Sequence, residues 1–214
     1  MFRRALAAAV AAFISVPPAF ARQASTEVAV EVPTDGGGML MLSRSWRFAR
    51  HFYAGIVGGG GRIDRDFTIG ATPGHPELKA SARTIVLPFI GPRITLAFPT
   101  VALSIGYAAF HARTDLDVHW PGAPTLTGRT SGWGTAIYSP LLELDFYSEK
   151  QDLVYGVGIG GFFGTTFADL KAASSVNEIQ TNANPIDALT VHVKVLWGDD
   201  RSERMQRSED AEGL

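Results

Sequence analysis

Apolar and polar residues alternate with a period of two along much of this 214-residue chain. Successive side chains of a β-strand point to opposite faces, so this period predicts strands with one apolar face. In the last alternating segment, the apolar face holds Leu189, Val191, Val193, Val195 and Trp197, and the other face holds Thr190, His192 and Lys194. One face suits lipid and the other suits water, although a strand of a soluble sandwich would alternate in the same way.

Small residues fill one face of two further segments. In 101–112 and 152–166, large apolar residues alternate with alanine, serine and glycine, and glycine dominates the second segment. A face of glycines would leave holes in a soluble core, whereas inside a narrow barrel it makes room for long polar side chains from opposite strands. The small face is therefore predicted to point into a lumen.

The pattern predicts an all-β fold, an antiparallel up-and-down transmembrane β-barrel. Six long strands are predicted, at 46–58, 81–98, 101–113, 128–147, 152–166 and 186–197. Short turns at 99–100 and 148–151 contrast with long polar stretches at 59–80, 114–127 and 167–184. Outer-membrane barrels have short turns on the periplasmic side and long loops outside, so the long stretches are predicted to be extracellular.

The run His51-Phe-Tyr-Ala-Gly-Ile-Val-Gly-Gly-Gly-Gly, followed by a polar loop and by hairpins that end in aromatic residues, resembles the opening of the small OmpA-like outer-membrane β-barrels. The resemblance covers 46–197 and implies eight strands. Either Pro92 and Pro140 divide two long strands, or residues 26–45 add pairing. It also implies the barrel insertion machinery as a partner, although here Trp197 precedes a further segment instead of ending the chain.

Three segments flank the predicted barrel 46–197. Residues 1–21 combine Arg3 and Arg4, an apolar run too short to span a membrane, and a small-residue site ending at Ala21, as in a cleaved signal peptide. Residues 22–45 are interpreted as a linker, or as an extra strand with a turn. The charged tail 198–214 is predicted to be disordered.

Composition narrows the function classes. The chain has 19 Lys and Arg against 21 Asp and Glu, and it has no cysteine. Nucleic acid is therefore not expected as a partner, and disulfides and thiolate metal sites are excluded. The five histidines show no metal-ligand spacing, so neither a metal nor a cofactor is predicted.

Inward-pointing polar residues are the main candidates for a site. If the apolar faces point outward, the lumen receives Arg47, His51, Tyr53, Arg93, Thr95, Glu143, Asp145, His192 and Lys194. The simplest hypothesis is an ion-paired plug, because charges removed from water need partners. The alternative is a polar conduit or small-ligand site. Pairing of 46–58 with the last strand would set His51 against His192. Otherwise, each histidine bonds to a carboxylate such as Glu143 or Asp145.

Several functions stay open at this point. The predicted role is that of an outer-membrane barrel with a structural, surface-interaction or narrow-pore function, with no loop ligand named. Outer-membrane lipids and lipopolysaccharide are the expected partners, and His111 and Arg113 are candidate contacts to the outer leaflet. With Asp115 and Ser131 nearby, a lipid A deacylase-like enzyme is one alternative. A soluble periplasmic lipocalin-like carrier is the other.

Overall fold

Ten β-strands account for most of the described chain. The computed structural model describes residues 24–70, 77–122, 124–148, 153–164, 170–173, 178–181 and 186–198, so the predicted signal peptide and most of the predicted tail lie outside the described residues. The strands are β1 Ala24–Pro33, β2 Gly37–Ala49, β3 Phe52–Ile69, β4 Leu78–Ala97, β5 Val101–His119, β6 Leu126–Ser148, β7 Leu153–Gly164, β8 Leu170–Ala173, β9 Glu178–Thr181 and β10 Ala188–Trp197. None of the described residues forms a helix long and apolar enough to cross a membrane.

Eight of these strands close into a ring. Strands β1 to β7 pair antiparallel in sequence order, and β10 closes the ring between β7 and β1. The predicted fold class, an antiparallel up-and-down barrel with eight strands, is therefore confirmed. In the sequence, β8 and β9 lie between β7 and β10. They form a small hairpin that is attached to β6 through the pair Thr127–Ala173.

The two strands missing from the sequence prediction come from the segment before residue 46. Strand β1 and most of β2 occupy 24–45, so of the two open interpretations the extra strand with a turn is right and the linker is wrong. The predicted strand 46–58 is wrong, because it runs across the turn at Arg50 and His51 that separates β2 from β3. Strand β4 continues through Pro92 and β6 through Pro140. Each proline lies where the ladder to β5 is interrupted, so its missing N–H costs no pairing there.

Large apolar side chains cover the outside of the ring. This surface, called the apolar belt below, includes Val30, Val32, Leu40, Leu42, Ile56, Ile85, Leu87, Ile90, Ile94, Leu103, Ile105, Tyr107, Ile137, Leu142, Leu144, Tyr155, Val157, Ile159, Leu189, Val191 and Val193. Aromatic residues border it, with Phe48, Phe52, Phe98 and Trp197 at the end of the short turns and Trp133 towards the other end. An apolar outer band flanked by aromatic girdles is typical of transmembrane barrels. A soluble carrier barrel would present polar side chains to its surroundings instead.

Four strands rise beyond the rest of the ring. The ladder between β2 and β3 ends at Gly37–Ile63, while β3 continues to Ile69, and β5 likewise continues to His119. The polar stretches 59–80 and 114–127, predicted as loops, are therefore mostly strand. This protruding part of β3, β4, β5 and β6, with the β8–β9 hairpin, is called the extension. Its inner face holds a second apolar cluster built from Leu78, Ala80, Ala82, Leu116, Val118, Leu126, Leu170 and Ala172.

Candidate functional site

A buried arginine on β4 anchors the polar part of the lumen. Arg93 donates two hydrogen bonds to Glu27 of β1, from Nη1 to Oε1 at 2.6 Å and from Nη2 to Oε2 at 2.8 Å. Its Nε donates to Thr95 Oγ1 at 3.2 Å. A guanidinium held by a carboxylate in this bidentate way is fixed in orientation as well as neutralised. The pair spans the lumen, because β1 and β4 are not neighbours in the ring.

Lys194 of β10 connects this pair to the other side of the lumen. Its Nζ lies 2.6 Å from Glu143 Oε2, 2.9 Å from Asp145 Oδ1 and 4.0 Å from Glu27 Oε2. His192 Nε2 lies 3.1 Å from Glu143 Oε1. Buried charges are tolerated only with such partners, because the desolvation cost of an unpaired ion is several kcal/mol. The result is one continuous network, called the lumen network below, of Glu27, Arg93, Thr95, Glu143, Asp145, His192 and Lys194.

Glycines on β7 make the space for this network. A Cβ at Gly156 would collide with Lys194 Cε, and a Cβ at Gly158 would collide with the ring of His192. The glycine face does leave room for long polar side chains from another strand, as the sequence suggested. The space beside Gly158 is already filled, however, so the lumen has no vacancy at this position.

Next to the lumen network, the lumen is filled by apolar side chains. Tyr138 forms the transition, since its hydroxyl donates to Glu31 Oε1 at 2.6 Å while its ring stacks on Phe162 at 5.1 Å between centroids. Phe89 packs edge-on against both rings. The remaining members of this layer are Ala29, Met39, Met41, Val57, Ile63, Val86, Ala108, Phe110, Ala112, Ala136, Ile186 and Ala188. All of them are buried, so the middle of the lumen is a packed core.

Three of the predicted lumen residues lie outside the network. Tyr53 is buried in a small cluster with Ala97 and Ala102 at the end of the short turns. Arg47 occupies a half-buried position near the end of β2. His51 lies in the turn after β2, where its Nδ1 is 3.2 Å from the carbonyl oxygen of Ala97.

The predicted seam between His51 and His192 is wrong. Strand β10 pairs with β1 instead of with the predicted strand 46–58, and His192 stands opposite Glu31. The alternative interpretation holds for His192, which contacts the carboxylate of Glu143.

Sequence reasoning missed three buried partners, Glu27, Glu31 and Tyr138. A signal for the two glutamates was present, because Glu27, Ala29 and Glu31 alternate with valines in the same way as the recognised strands. Because the sequence analysis leaves 22–45 open between a linker and an extra strand, neither glutamate is among the predicted lumen residues. Tyr138 lies within a recognised strand, but nothing in its local sequence identifies Glu31 as its partner.

The outward face of β5 carries the two predicted lipid contacts. His111 packs edge-on against Trp133 at 5.3 Å between ring centroids, and the guanidinium of Arg113 lies 4.0 Å from Asp115. Arg129 Nε donates to Asp115 Oδ1 at 2.5 Å, and this hydrogen bond lowers the pKa of the Asp115 carboxyl. Both residues face outward, as a contact to lipid requires. The contact itself stays a prediction.

This face does not form the relay that a deacylase needs. Ser131 pairs across the ladder with Arg113, while His111 pairs with Trp133. Asp115 is engaged by Arg129 rather than by the histidine. A nucleophilic serine requires a base within hydrogen-bond reach and an acid that orients that base. Among the residues described, no group of three or more His, Asp or Glu side chains is arranged to hold a metal ion.

No protein-family model matches the chain, and no curated protein sequence is similar to it. Similar solved structures include a major outer membrane protein from Thermus thermophilus, with TM-score 0.46 and 10% identity, covering 82% of this chain and 98% of that one. Ail, the attachment invasion locus protein of Yersinia pestis, matches with TM-score 0.32 and 11% identity over 81% and 93% of the two chains. Neisserial surface protein A matches with TM-score 0.30 and 10% identity over 82% and 94%. The assignment of the barrel rests on the strand pairing of this chain itself.

Proposed function

We propose that this chain is an outer-membrane barrel with a closed lumen, whose role is structural and whose extension is presented to the outside as an interaction surface. The apolar belt supports the membrane location, because these large side chains are exposed unless lipid covers them. Export would require the predicted signal peptide and its cleavage after Ala21. Insertion would require the barrel insertion machinery.

The filled lumen is the observation that carries the closed-barrel proposal. A polar conduit needs a continuous wet path, whereas here the lumen network is followed by the packed layer around Phe89, Tyr138 and Phe162. The charges of the network are paired with one another and not aligned as a ring of one sign. Among the roles considered from the sequence, these features favour a structural barrel over a narrow pore.

The orientation follows from the asymmetry of the two ends. The turns after β2 and β4 are short, and the first and last barrel strands begin and end at that same side. The extension and the connections that contain β8 and β9 lie at the opposite side. Outer-membrane barrels keep short turns in the periplasm and long connections outside, so the extension is assigned to the cell surface.

Fractionation and conductance test this proposal together. The protein should fractionate with the outer membrane and show heat-modifiable mobility in gels, and it should give no conductance steps in planar lipid bilayers. Recovery in the soluble periplasm would overturn the membrane location, and regular conductance steps would overturn the closed lumen. Protease added to whole cells should cut within 70–77 or 165–187 and spare 149–152. The reverse pattern would invert the orientation.

A further inference from the structure

On each of the four strands that continue into the extension, the outward residues change from apolar in the barrel to charged in the extension. When the strand is followed from the barrel into the extension, the first permanently charged outward residue is an arginine on all four strands. On β3, Ile56, Gly58 and Gly60 precede Arg62, and on β4, Leu87 and Ile85 precede Arg83. On β5, Tyr107, Ala109 and His111 precede Arg113, and on β6, Trp133 and Ser131 precede Arg129. Arg62, Arg83, Arg113 and Arg129 are called the arginine collar below.

Strand register brings the collar together. Arg62 and Arg113 both flank Ile85 across the two ladders of β4, while Arg83 stands between Asp64 and Asp115. Strands are about 4.8 Å apart, so Arg62 and Arg113 are about 10 Å apart along their row. In the two rows nearest the apolar belt, four arginines thus accompany two carboxylates, Asp64 and Asp115, and Asp66 and Asp117 lie one row farther out. The excess of positive charge is therefore next to the belt.

The ion pairs within the collar do not use all of its donors. Arg62 and Arg129 hold the two carboxylates by direct hydrogen bonds. The contacts of Arg83 to Asp64 at 3.8 Å and of Arg113 to Asp115 at 4.0 Å are longer than hydrogen bonds. The side chains of Arg83 and Arg113 are 65% and 47% exposed. A guanidinium carries five N–H donors in a planar fork, so these two can bind an anion while the carboxylates hold the others in place.

The collar lies on one side of the barrel only. At the same end of the other four barrel strands, the outward positions are Phe163 on β7, Leu189 on β10, Val32 on β1 and Leu40 on β2, all of them apolar and exposed. In the described part of these strands, no outward cation follows these positions. The charge is therefore specific to the side that carries the extension, and is not a general feature of the rim.

We propose that the arginine collar binds the phosphate groups of lipid headgroups in the outer leaflet. The collar begins where the apolar belt ends, and in a membrane that is the level at which acyl chains give way to headgroups. Guanidinium groups bind phosphate oxygens through paired, charge-assisted hydrogen bonds. A phosphorylated lipid can thus place its chains on Ile85 and Leu87 of the belt and its headgroup on Arg83 and Arg113. This inference rests on the proposed membrane location.

Binding of purified lipid A to the folded protein in neutral detergent micelles, followed by native mass spectrometry, tests the proposal. Arg83→Gln and Arg113→Gln should each weaken lipid A binding about fivefold, as expected for one cation near an anionic lipid. Lys79→Gln is the matched control, because this substitution removes the same charge from the same face of β4. Lys79 lies farther from the belt than Arg83. The substitution should leave the affinity unchanged. Arg113→Lys should bind less tightly than the native chain, since it keeps the charge but loses the fork.

Three outcomes would overturn the proposal. The first is equal lipid A affinity for the native protein and for the double variant R83Q/R113Q. The second is an equal loss of affinity in K79Q, which would show a diffuse charge effect. The third is competition by inorganic phosphate at concentrations similar to those of lipid A, which would show a site for free anions. Heat-modifiable mobility of each variant shows that its barrel is folded. Absence of this mobility in the native chain would overturn the proposed function instead.

Discussion

The barrel and the extension share the strands β3 to β6 but have opposite polarity. In the barrel part of β5, Leu103 and Ile105 point outward, whereas in the extension the outward positions of the same strand are Asp115 and Asp117. The direction of each side chain does not change along the strand, since the period of two is unbroken. With the proposed membrane location, the difference corresponds to a change in the surroundings from lipid to water.

The interior changes in the opposite sense. Inward residues of the barrel include the charged pair Arg93 and Glu27, while inward residues of the extension include Leu116 and Val118. The part of the lumen that contains Arg93 and Glu27 is thus stabilised by matched charges, whereas the middle of the lumen and the extension are stabilised by apolar cores. The two changes occur at different levels. On β4 the inward change lies between Arg93 and Phe89, whereas the outward change lies between Ile85 and Arg83 of the arginine collar.

The largest expected loss of stability comes from breaking the ion pairs inside the barrel. Lys194→Met leaves Glu143 and Asp145 buried without their cation, and breaking a buried ion pair from one side costs about 3–5 kcal/mol. Urea unfolding of the protein in lipid vesicles measures this loss. Lys171→Met on the exposed face of β8 is the control, with an expected change within about 0.5 kcal/mol. Similar losses in both variants would show that the lumen network does not depend on its charge balance.

A charge on the lipid-facing surface should have the next largest effect. Val193→Arg places a cation on the apolar belt and should lower the free energy of unfolding by about 2–4 kcal/mol if Val193 lies near the bilayer midplane. Ser81→Arg on the outward face of the extension is the matched change, because its cross-strand neighbours are Asp66 and Asp117. It should be tolerated within about 0.5 kcal/mol. Equal damage at both sites would mean that the outer face is not divided between lipid and water.

The fold class is predictable because the alternation of apolar and polar residues is visible within each strand by itself. Alternation over 186–197 identified a strand that the structure places at Ala188–Trp197. The turn at Arg50 and His51 is not predictable from the sequence, because it contains no glycine, proline or asparagine that would interrupt the predicted strand. The extension was missed for another reason. Its outward residues are charged, so its segments look like polar loops unless their inward residues are considered separately.

The lumen network was only partly predictable. Period two assigns Arg93, Glu143, Asp145, His192 and Lys194 to the inward face, but it does not say which residues meet. Glu27 and Arg93 are 66 positions apart and lie on strands that are not neighbours in the ring. Such a contact depends on how the sheet closes, and the closing strand β1 was the element that sequence analysis left open.

Within the extension, loss of core volume should have a smaller and local effect. Leu116→Ala removes a buried side chain from the second apolar cluster, and we expect a cost of about 2 kcal/mol, at the lower end for such cavities. Hydrogen exchange should become faster in the protruding parts of β4 and β5 while the amides of β1 and β10 keep their protection. Faster exchange throughout the barrel would show that the two regions unfold as one unit.

The smallest expected effect is the pH dependence of the ion pairs on the outside of the extension. The hydrogen bond from Arg129 holds the pKa of the Asp115 carboxyl below its ordinary value. A carboxyl whose folded pKa is lowered stabilises the folded state above its unfolded pKa, and that contribution is lost as the pH falls through the folded pKa. The stability of the extension should therefore be constant above about pH 4 and should decrease below it. Because the pair is exposed, the loss should be less than about 1 kcal/mol.

Substitution of the two arginines next to Asp115 identifies the cause of this shift. In Arg129→Gln, the pKa of Asp115, followed by NMR of its carboxyl carbon, should return towards the ordinary aspartate value. Arg113→Gln should raise it less, because that guanidinium lies 4.0 Å away and acts through charge alone. Equal rises in the two variants would assign the shift to the net charge of the collar instead of the hydrogen bond. In that case, replacement of Arg129 and replacement of Arg113 would change the acid sensitivity of the extension by the same amount.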